Sequence, residues 1–505
     1  LGVAHPPGYA LYIIIGHMFT FLPLGNAAYK VNVFSALCAA GFLPLLYLVL
    51  KQWVQRSASV LAVAAFGFSN PFWELANVPE MYTLGIFWIG LLFVSLFVFN
   101  NPYLFSFLLA LGLGVRMDLL LLGPVFVCWL LYRKVKVNWF YLGLFFSLGC
   151  SVFLYMPIRS HQNPIVDWAN PETLTATFNA VSRKSYGGTL DLLSLNYAKG
   201  ENFFSNIILY GNHLIFSFGF WGVLLALLGT VLALKKKHHG FLFCFGLFIV
   251  TGPLFLFLAN MPLNPHSIAI VEAAFPPTDL VVAIAVAFGL HQLLSFGHKP
   301  VVVGVFALLF CVNASHGYTR ANKRDNNYVR DYLINLSRSV PKHSVVVSHK
   351  DVQLFSIWHA QLMEGWRKDV SFIATGLSGS PWYWEMKKKW SAERGIAFPP
   401  MASLKLEKGW NQLVQNSRGR PLFAGFDVNV PAESNFPRHP EGILMRYSPP
   451  GNTIPRRNWI LPKFCLYRGQ YKYGDTPDYF STDLIGDHSR AHHFHGVATL
   501  NFQGG

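Results

Sequence analysis

Charged residues are scarce in this chain of 505 residues. Only 13% of the residues are Asp, Glu, Lys or Arg, whereas 53% are hydrophobic. Soluble domains usually contain about 25% charged residues. Apolar runs of about 18 residues or more, the length that a bilayer requires, recur along the chain. The composition therefore excludes an ordinary soluble protein and predicts a multi-pass α-helical membrane protein.

Cysteines and nucleotide or metal motifs are scarce as well. Of six cysteines, only Cys465 lies in the polar C-terminal part, so no disulfide can form within it. The chain has no Walker A run, no Gly-x-Ser-x-Gly elbow and no HExxH motif. Four histidines near the C-terminus lack the spacing of a zinc site, and a mobile tail is the expectation there: His488, His492, His493 and His495. We expect no metal and no cofactor.

The apolar runs predict ten membrane spans, preceded by a short helix over 9–24 that lies at the membrane interface or dips into the membrane. The fourth and fifth are short for a hydrocarbon core of about 30 Å. The predicted spans are 31–50, 57–77, 80–99, 102–115, 118–132, 138–157, 207–234, 240–259, 270–295 and 299–315.

Basic residues orient these spans. If the ten spans alternate, one face collects Lys51, Arg56, Arg133, Lys134, Lys136, Lys235, Lys236, Lys237 and Lys299. The positive-inside rule makes that face cytoplasmic. The first residue is Leu1 and not Met, so we expect a fragment or a processed form.

The C-terminal part is a different kind of segment. We predict a transmembrane domain over 1–315 and a basic, extracytoplasmic soluble α/β domain over 316–505, which has 25 Lys and Arg against 15 Asp and Glu. Helices over 326–337, 352–363 and 381–390 alternate with strands over 344–348 and 370–374, a pattern typical of an open α/β sheet. Beside membrane spans, the positive charge favours a lipid membrane or phosphate-bearing lipid over nucleic acid as partner.

The first nine residues, LGVAHPPGY, form a polar, turn-forming stretch directly before an apolar run. Two prolines fix φ, and Gly8 permits unusual backbone angles. A rigid bend that carries His5 to a membrane entrance indicates a site.

Further polar residues fall on the same face, at the ends of spans. Glu80 begins a span, either as a helix-start carboxylate or as a site residue. Arg116 and Asp118 form either a surface turn with a weak ion pair or a phosphate-binding cation with a carboxylate beside it. His266, near Glu272, marks another polar entrance.

Arg159 ends the sixth span and precedes a long polar loop. An Arg just beyond the bilayer either pairs with a lipid phosphate or anchors the chain at the interface together with Trp and Tyr.

Three stretches resemble a membrane family first catalogued as a domain of unknown function, whose eukaryotic members are of the transmembrane protein 260 type. They are HPPGYALY from His5, KVNVFSAL from Lys30 and PEMYTL from Pro79. Residues 155–186, YMPIRSHQNPIVDWANPETLTATFNAVSRKSY, are similar to the same family, as are EGWRKDV from Glu364 and Trp382-Tyr383.

The resemblance implies a GT-C glycosyltransferase fold, in which a sugar is taken from a polyprenyl-phosphate carrier outside the cytoplasm. Eukaryotic relatives are protein O-mannosyltransferases. The resemblance implies that a first span and the family's main acidic residue lie upstream of Leu1. Within this sequence, Glu80 and Asp118 are the catalytic candidates, assigned to acceptor or sugar hydroxyls. The implied substrate-binding residues are His5, Tyr9, Arg159, Asp167, Trp168, Arg183 and Tyr186, to which we add Arg116 and His266.

The resemblance therefore implies a glycosyltransferase that moves a sugar, mannose in the first instance, from polyprenyl phosphate to a protein Ser/Thr or other acceptor hydroxyl. The acceptor is a protein or a glycan, and the membrane is a bacterial inner membrane or an endoplasmic reticulum membrane. Two alternatives remain open at this point: a transporter or flippase of lipid-linked sugars, and a non-catalytic membrane scaffold. A transporter predicts inverted repeats and ionisable residues in mid-membrane.

Overall fold

A computed structural model divides the chain into two compact units, residues 1–323 and 324–505. The structure describes residues 1–184, 198, 200–297, 299–399, 406–417, 419–430, 436–448, 461–468 and 479–503.

The regular secondary structure of the first unit, within its described residues, is helical apart from one isolated β-bridge. In chain order its α-helices are α1 Ala10–Phe19, α2 Ala27–Leu50, α3 Arg56–Gly67, α4 Asn70–Leu75, α5 Met81–Phe93, α6 Pro102–Gly112, α7 Leu122–Tyr132, α8 Trp139–Cys150, α9 Tyr155–His161, α10 Leu174–Val181, α11 Phe203–Lys235, α12 His239–Thr251, α13 Pro253–Ala259, α14 Pro265–Glu272, α15 Pro276–Ser295 and α16 Lys299–Ala321. A π-helical segment, Val94–Val98, extends α5, and 3₁₀ segments Met117–Leu121 and Ser151–Leu154 precede α7 and α9.

The predicted multi-pass helical architecture is confirmed. Within the described residues, seven helical stretches are long and apolar enough to cross a membrane: Ala27–Leu50, Met81–Val98, Trp139–His161, Phe203–Lys235, His239–Ala259, Pro276–Ser295 and Lys299–Tyr318. The other three predicted spans coincide with shorter apolar helices, Arg56–Gly67, Pro102–Gly112 and Met117–Tyr132. The count of ten spans stays a prediction.

In three of the predicted spans, a proline in the first turn of a second helix accounts for an interruption. Residues 240–259 comprise α12 and α13, which begins at Pro253. Residues 270–295 comprise the end of α14 and, after a break, α15, which begins at Pro276. Residues 57–77 contain α3 and α4, with Pro71 in the first turn of α4. Proline lacks the N–H of a helix interior but suits a first turn, so each proline starts a new helix.

Helix α15 is the buried centre of the first unit, and α11 packs along it. Two glycines set that contact. A Cβ on Gly229 would lie 1.9 Å from the Ala285 carbonyl oxygen, and one on Gly289 would lie 2.3 Å from that of Leu225. Small residues let helix backbones approach closely where apolar lipid supplies no hydrophobic driving force.

The second unit contains a five-stranded sheet in the order β2-β1-β3-β5-β4, with the bounds β1 Val345–Ser348, β2 Ser371–Ala374, β3 Leu422–Ala424, β4 Arg438–Glu441 and β5 Leu444–Tyr447. Strand β1 is parallel to β2 and β3, whereas β5 is antiparallel to β3 and β4. The helices are α17 Tyr328–Ser339, α18 Asp351–Met363, α19 Pro381–Arg394, α20 Leu406–Asn416, α21 Leu461–Phe464 and α22 Tyr479–Gln503. The predicted alternation of strands and helices is therefore confirmed between β1 and α19.

The expected mobile tail around the C-terminal histidines is wrong. All four lie on helix α22, and His488 is buried with its Nε2 atom 2.9 Å from Nδ2 of Asn335. The Nε2 atom of His495 lies 3.0 Å from the carbonyl oxygen of Gly442. The sequence signal was ambiguous because α22 has no continuous apolar face; polar contacts hold it on the sheet.

Candidate active site

The start of α1 is tied to the loop before the first 3₁₀ segment. The backbone N–H of Leu11 donates to the carbonyl oxygen of Gly114 at 2.9 Å. Gly114 is needed for this approach, because a Cβ there would lie 3.2 Å from the Leu11 nitrogen. The contact brings Tyr9, which precedes α1, into electrostatic range of Arg116.

Arg116 is held in one orientation by two partners. Its guanidinium donates to both carboxylate oxygens of Asp118, with Nε 3.0 Å from Oδ1, and lies over the ring of Tyr82 at 4.7 Å. Gly85 makes room for the arginine stem, since a Cβ there would lie 2.8 Å from Cδ of Arg116. The pair is largely buried, so the surface-turn interpretation of Arg116 and Asp118 is wrong: their side chains are 14% and 24% exposed.

Glu80 lies at the first residue before α5, where the helix dipole favours a carboxylate. The residue is exposed to solvent, although neighbouring protein atoms partly desolvate its carboxylate. This desolvation raises the pKa of Glu80, while the Met81 amide and the Arg116 guanidinium act in the opposite direction. A carboxylate with a raised pKa is a better base near neutral pH than an ordinary one.

Tyr9 faces the same group of charges. Desolvation raises the pKa of its hydroxyl to about 12, although the nearby cations Arg116 and Arg183 lower it. The hydroxyl therefore keeps its proton at neutral pH and can donate a hydrogen bond to an anionic or hydroxyl group.

A narrow crevice opens beside Arg116 and Asp118. It reaches from Tyr82 on α5 to Pro276 at the start of α15 and is lined otherwise mainly by apolar side chains. Its water-accessible space is about 20 Å³, enough for about one water molecule. Charged groups thus meet at the mouth of an apolar crevice.

The first residues of the chain pair with the loop after α9. Val3 forms a parallel β-bridge with Asp167, and the hydroxyl of Tyr155 donates to the carbonyl oxygen of Gly2 at 2.6 Å. Gly8 has a φ of 93° and packs so closely on Met156 that a Cβ would lie 2.6 Å from its sulfur. Two motifs far apart in sequence therefore form one structural element.

This element brings three further predicted residues together. The His5 ring lies 5.3 Å from that of Tyr9 and 5.7 Å from that of Trp168, both edge-on. The hydroxyl of Ser160 donates to Oδ2 of Asp167 at 2.8 Å, which fixes the loop that carries Trp168.

The remaining predicted residues are placed differently. Arg183 follows α10 and lies within electrostatic range of Tyr9. Arg159 lies on α9, where Nε donates to the Leu1 carbonyl oxygen at 2.9 Å and Nη1 donates to Gln162. His266 is exposed in the first turn of α14. Tyr186 lies outside the described residues.

A buried pair in the first unit was missed by the sequence analysis. The Nε2 atom of His213 on α11 lies 2.8 Å from Oδ2 of Asp279 on α15, and the two side chains are 5% and 1% exposed. An ionisable residue inside an apolar span was the available signal, because such residues are rare unless they serve a purpose.

Comparison with known proteins agrees with the N-terminal motifs. Residues 1–139 match the family model described as the protein O-mannosyl-transferase TMEM260 N-terminal domain. The resemblance to the transmembrane protein 260 family is confirmed.

Two curated relatives extend the similarity beyond that domain. The chain is 24% identical over 429 residues to the mouse protein O-mannosyl-transferase TMEM260, an alignment that covers 79% of this chain and 60% of the relative. It is 22% identical over 447 residues to the protein O-mannosyl-transferase tmem260 of Dictyostelium discoideum, covering 76% and 54%. The chain thus spans a little over half the length of these relatives.

Among solved structures, ArnT from Cupriavidus metallidurans in the apo state matches with a TM-score of 0.49 and 12% sequence identity. The match covers 88% of this chain and 87% of that one.

Proposed function

We propose that this chain is a glycosyltransferase of GT-C type that moves mannose from a polyprenyl-phosphate carrier to a Ser or Thr hydroxyl of an acceptor protein, outside the cytoplasm. The relatives named protein O-mannosyl-transferase support the reaction class. The observation that carries the proposal is that Glu80 and Tyr9 lie within electrostatic range of the clamped Arg116, which lines the crevice.

The reaction is an inverting displacement. Glu80, as general base, takes the proton of the acceptor hydroxyl, and the hydroxyl oxygen forms a bond to the anomeric carbon. The bond from that carbon to the phosphate oxygen breaks, and its electron pair leaves with the polyprenyl phosphate. A positioned base typically contributes about 10²–10⁴-fold to the rate.

Cations and hydrogen-bond donors stabilise the phosphate that departs. Arg183 and Arg116 supply positive charge beside Tyr9, whose neutral hydroxyl donates a hydrogen bond. A fixed guanidinium aimed at developing charge lowers the barrier without reorganising during the reaction. Asp118 orients Arg116, so the role of Asp118 is to position the cation. Arg159 holds the N-terminal stretch that carries His5 and Tyr9.

A transporter of lipid-linked sugars is the second candidate, and the buried pair His213–Asp279 is the observation that favours it. Ionisable residues within spans often mark the pathway of a transported substrate. The charged residues at the crevice lie at the ends of helices, and Asp279 itself lies in the first turn of α15, which favours the enzyme.

The deciding experiment uses the protein in proteoliposomes with radiolabelled polyprenyl-phosphate mannose and a panel of acceptor proteins. We expect transfer by the wild type, a loss of at least 100-fold in Glu80→Gln, consistent with the usual contribution of a base, and weaker donor binding in Arg183→Ala. Glu74→Gln is the matched control, because it makes the same substitution on the neighbouring helix α4. The Glu74 carboxylate pairs with the Lys323 ammonium at 2.8 Å. Movement of the lipid between leaflets without transfer to any acceptor would establish the transporter.

A further inference from the structure

A wide groove runs along the contact between α7 and α12 in the first unit. Its volume is about 710 Å³, within the range of about 300–1,000 Å³ that is typical of ligand sites. Apart from Lys237 at one end, the lining is almost wholly apolar and aromatic. The groove is therefore suited to a hydrocarbon chain along most of its length.

Each helix contributes one face to the groove. On α7 the lining residues recur at the three-to-four-residue spacing of a single helix face, from Pro124 to Tyr132, and on α12 they do so from Leu242 to Val250. Gly246 sets the distance between the two faces, because a Cβ there would lie 2.8 Å from a methyl group of Val125. The groove thus runs along the helices for about two turns.

One end of the groove is rich in positive charge. Lys237 lines it, and Arg133 and Lys134 directly follow Tyr132 at the end of α7. All three residues are exposed. No Asp or Glu occurs in the sequence between Asp118 and Asp167, or between Glu201 and Glu272, so neither helix brings a carboxylate to this end.

Contacts place these basic residues at one end of both helices. The indole N–H of Trp129 donates to the carbonyl oxygen of His239 at 3.1 Å, which ties the last turn of α7 to the first residue of α12. Trp129 and Tyr132 are the residue types that lie at membrane–water interfaces. The basic end is therefore at headgroup depth, and the apolar length of the groove extends into the hydrocarbon layer.

We propose that this groove binds an anionic phospholipid, with an acyl chain between α7 and α12 and the phosphate against Lys237, Arg133 and Lys134. Charge complementarity selects the occupant, because a neutral lipid would leave the cations without a counter-charge. Basic sites between membrane helices recognise anionic headgroups in this way. The basic residues of this site follow the C-terminal end of α7, whereas Arg116 precedes the 3₁₀ segment at its other end, and the site does not depend on the proposed transferase activity.

The test is photo-crosslinking of the protein in phosphatidylcholine nanodiscs with two diazirine-labelled lipids, phosphatidylglycerol and phosphatidylcholine. We expect phosphatidylglycerol to label peptides of α7 and α12 selectively. The triple variant Arg133→Gln/Lys134→Gln/Lys237→Gln should weaken that labelling by about 100-fold, or about fivefold for each cation. The control Lys51→Gln/Arg56→Gln/Lys299→Gln removes the same charge from other helix ends and should keep it.

Equal labelling by the two lipids would overturn the proposal, since it means no preference for the anionic headgroup. Equal loss in the two triple variants would also overturn it, since it means general attraction to a charged surface.

Cys128 provides an independent measurement, because it lines the groove and is exposed, as is Cys311 on α16. Anionic lipid should slow the reaction of Cys128 with N-ethylmaleimide and leave Cys311 unchanged. Slowing at both thiols or at neither would also contradict a lipid in the groove. This measurement uses the wild-type protein, so it does not depend on whether the triple variant folds.

Discussion

His213 and Asp279 form a buried pair that joins α11 to α15, with Nε2 and Oδ2 2.8 Å apart. The Tyr210 ring stacks on His213 at 5.8 Å, and Ser217 lies one turn away with its Oγ atom 3.4 Å from Nε2. The pair therefore lies within the main contact between the two helices at the centre of the first unit.

We expect His213→Ala to destabilise the first unit by about 3–5 kcal/mol, because removing one partner leaves the other buried without its counter-charge. The double variant His213→Leu/Asp279→Leu should lose less stability than the single variants His213→Leu and Asp279→Leu lose together. Thermal unfolding in detergent measures both. Additive effects would mean that the two side chains do not interact in the folded protein.

Glu80 should set the acidic limb of the pH profile for transfer. A base acts only when it is deprotonated, so the rate should rise with pH through the pKa of Glu80, which desolvation raises above its ordinary value. Initial rates measured from acid to neutral pH in proteoliposomes test this. Glu80→Gln should be slow and should lose that limb, whereas a limb that persists unchanged in the variant would assign it to another group.

Gly8 should not tolerate a side chain. Its φ of 93° and its contact with Met156 both oppose a Cβ, so Gly8→Ala should cost about 1–2 kcal/mol from the backbone alone. We expect faster hydrogen exchange in the N-terminal stretch and in the loop after α9, together with weaker transfer. Gly16→Ala on α1 is the matched control, because a Cβ there meets nothing within 4 Å, and it should leave both measurements unchanged.

Arg367 should contribute strongly to the stability of the second unit. It donates to both carboxylate oxygens of Asp369 at 2.9 Å and to the carbonyl oxygens of Ser337, Val340 and Pro341. Arg367→Ala should destabilise the unit by about 2–4 kcal/mol, because several carbonyl groups lose a charged donor.

Hydrogen-exchange protection of α17 and β1 in the full chain measures this effect. Arg330→Ala is the control, because its ion pair with Glu364 is well exposed and should contribute less than about 1 kcal/mol. Equal loss of protection in the two variants would contradict the role assigned to Arg367.

The sequence alone determined the helical membrane class, the ends of most apolar helices and the start of the α/β sheet. Each of these depends on local patterns: run length, residue period and the residues that begin or end a helix. Helix α22 was not predicted from the sequence, because its amphipathic pattern is weak and polar contacts with distant residues hold it in place. The breaks within predicted spans were not predicted, because hydropathy does not detect where a proline starts a new helix.

Only the tertiary structure decided which polar residues meet. Tyr9 reaches Arg116 because the start of α1 bonds to Gly114, and Asp167 pairs with Val3 across the long interval between them. His213 meets Asp279 because small residues let α11 and α15 approach each other. The sequence shows that charges lie at the ends of spans. Which of these charges share a site depends on how the helices pack. Packing brings together residues that are far apart along the chain, and local sequence patterns carry no information about such contacts.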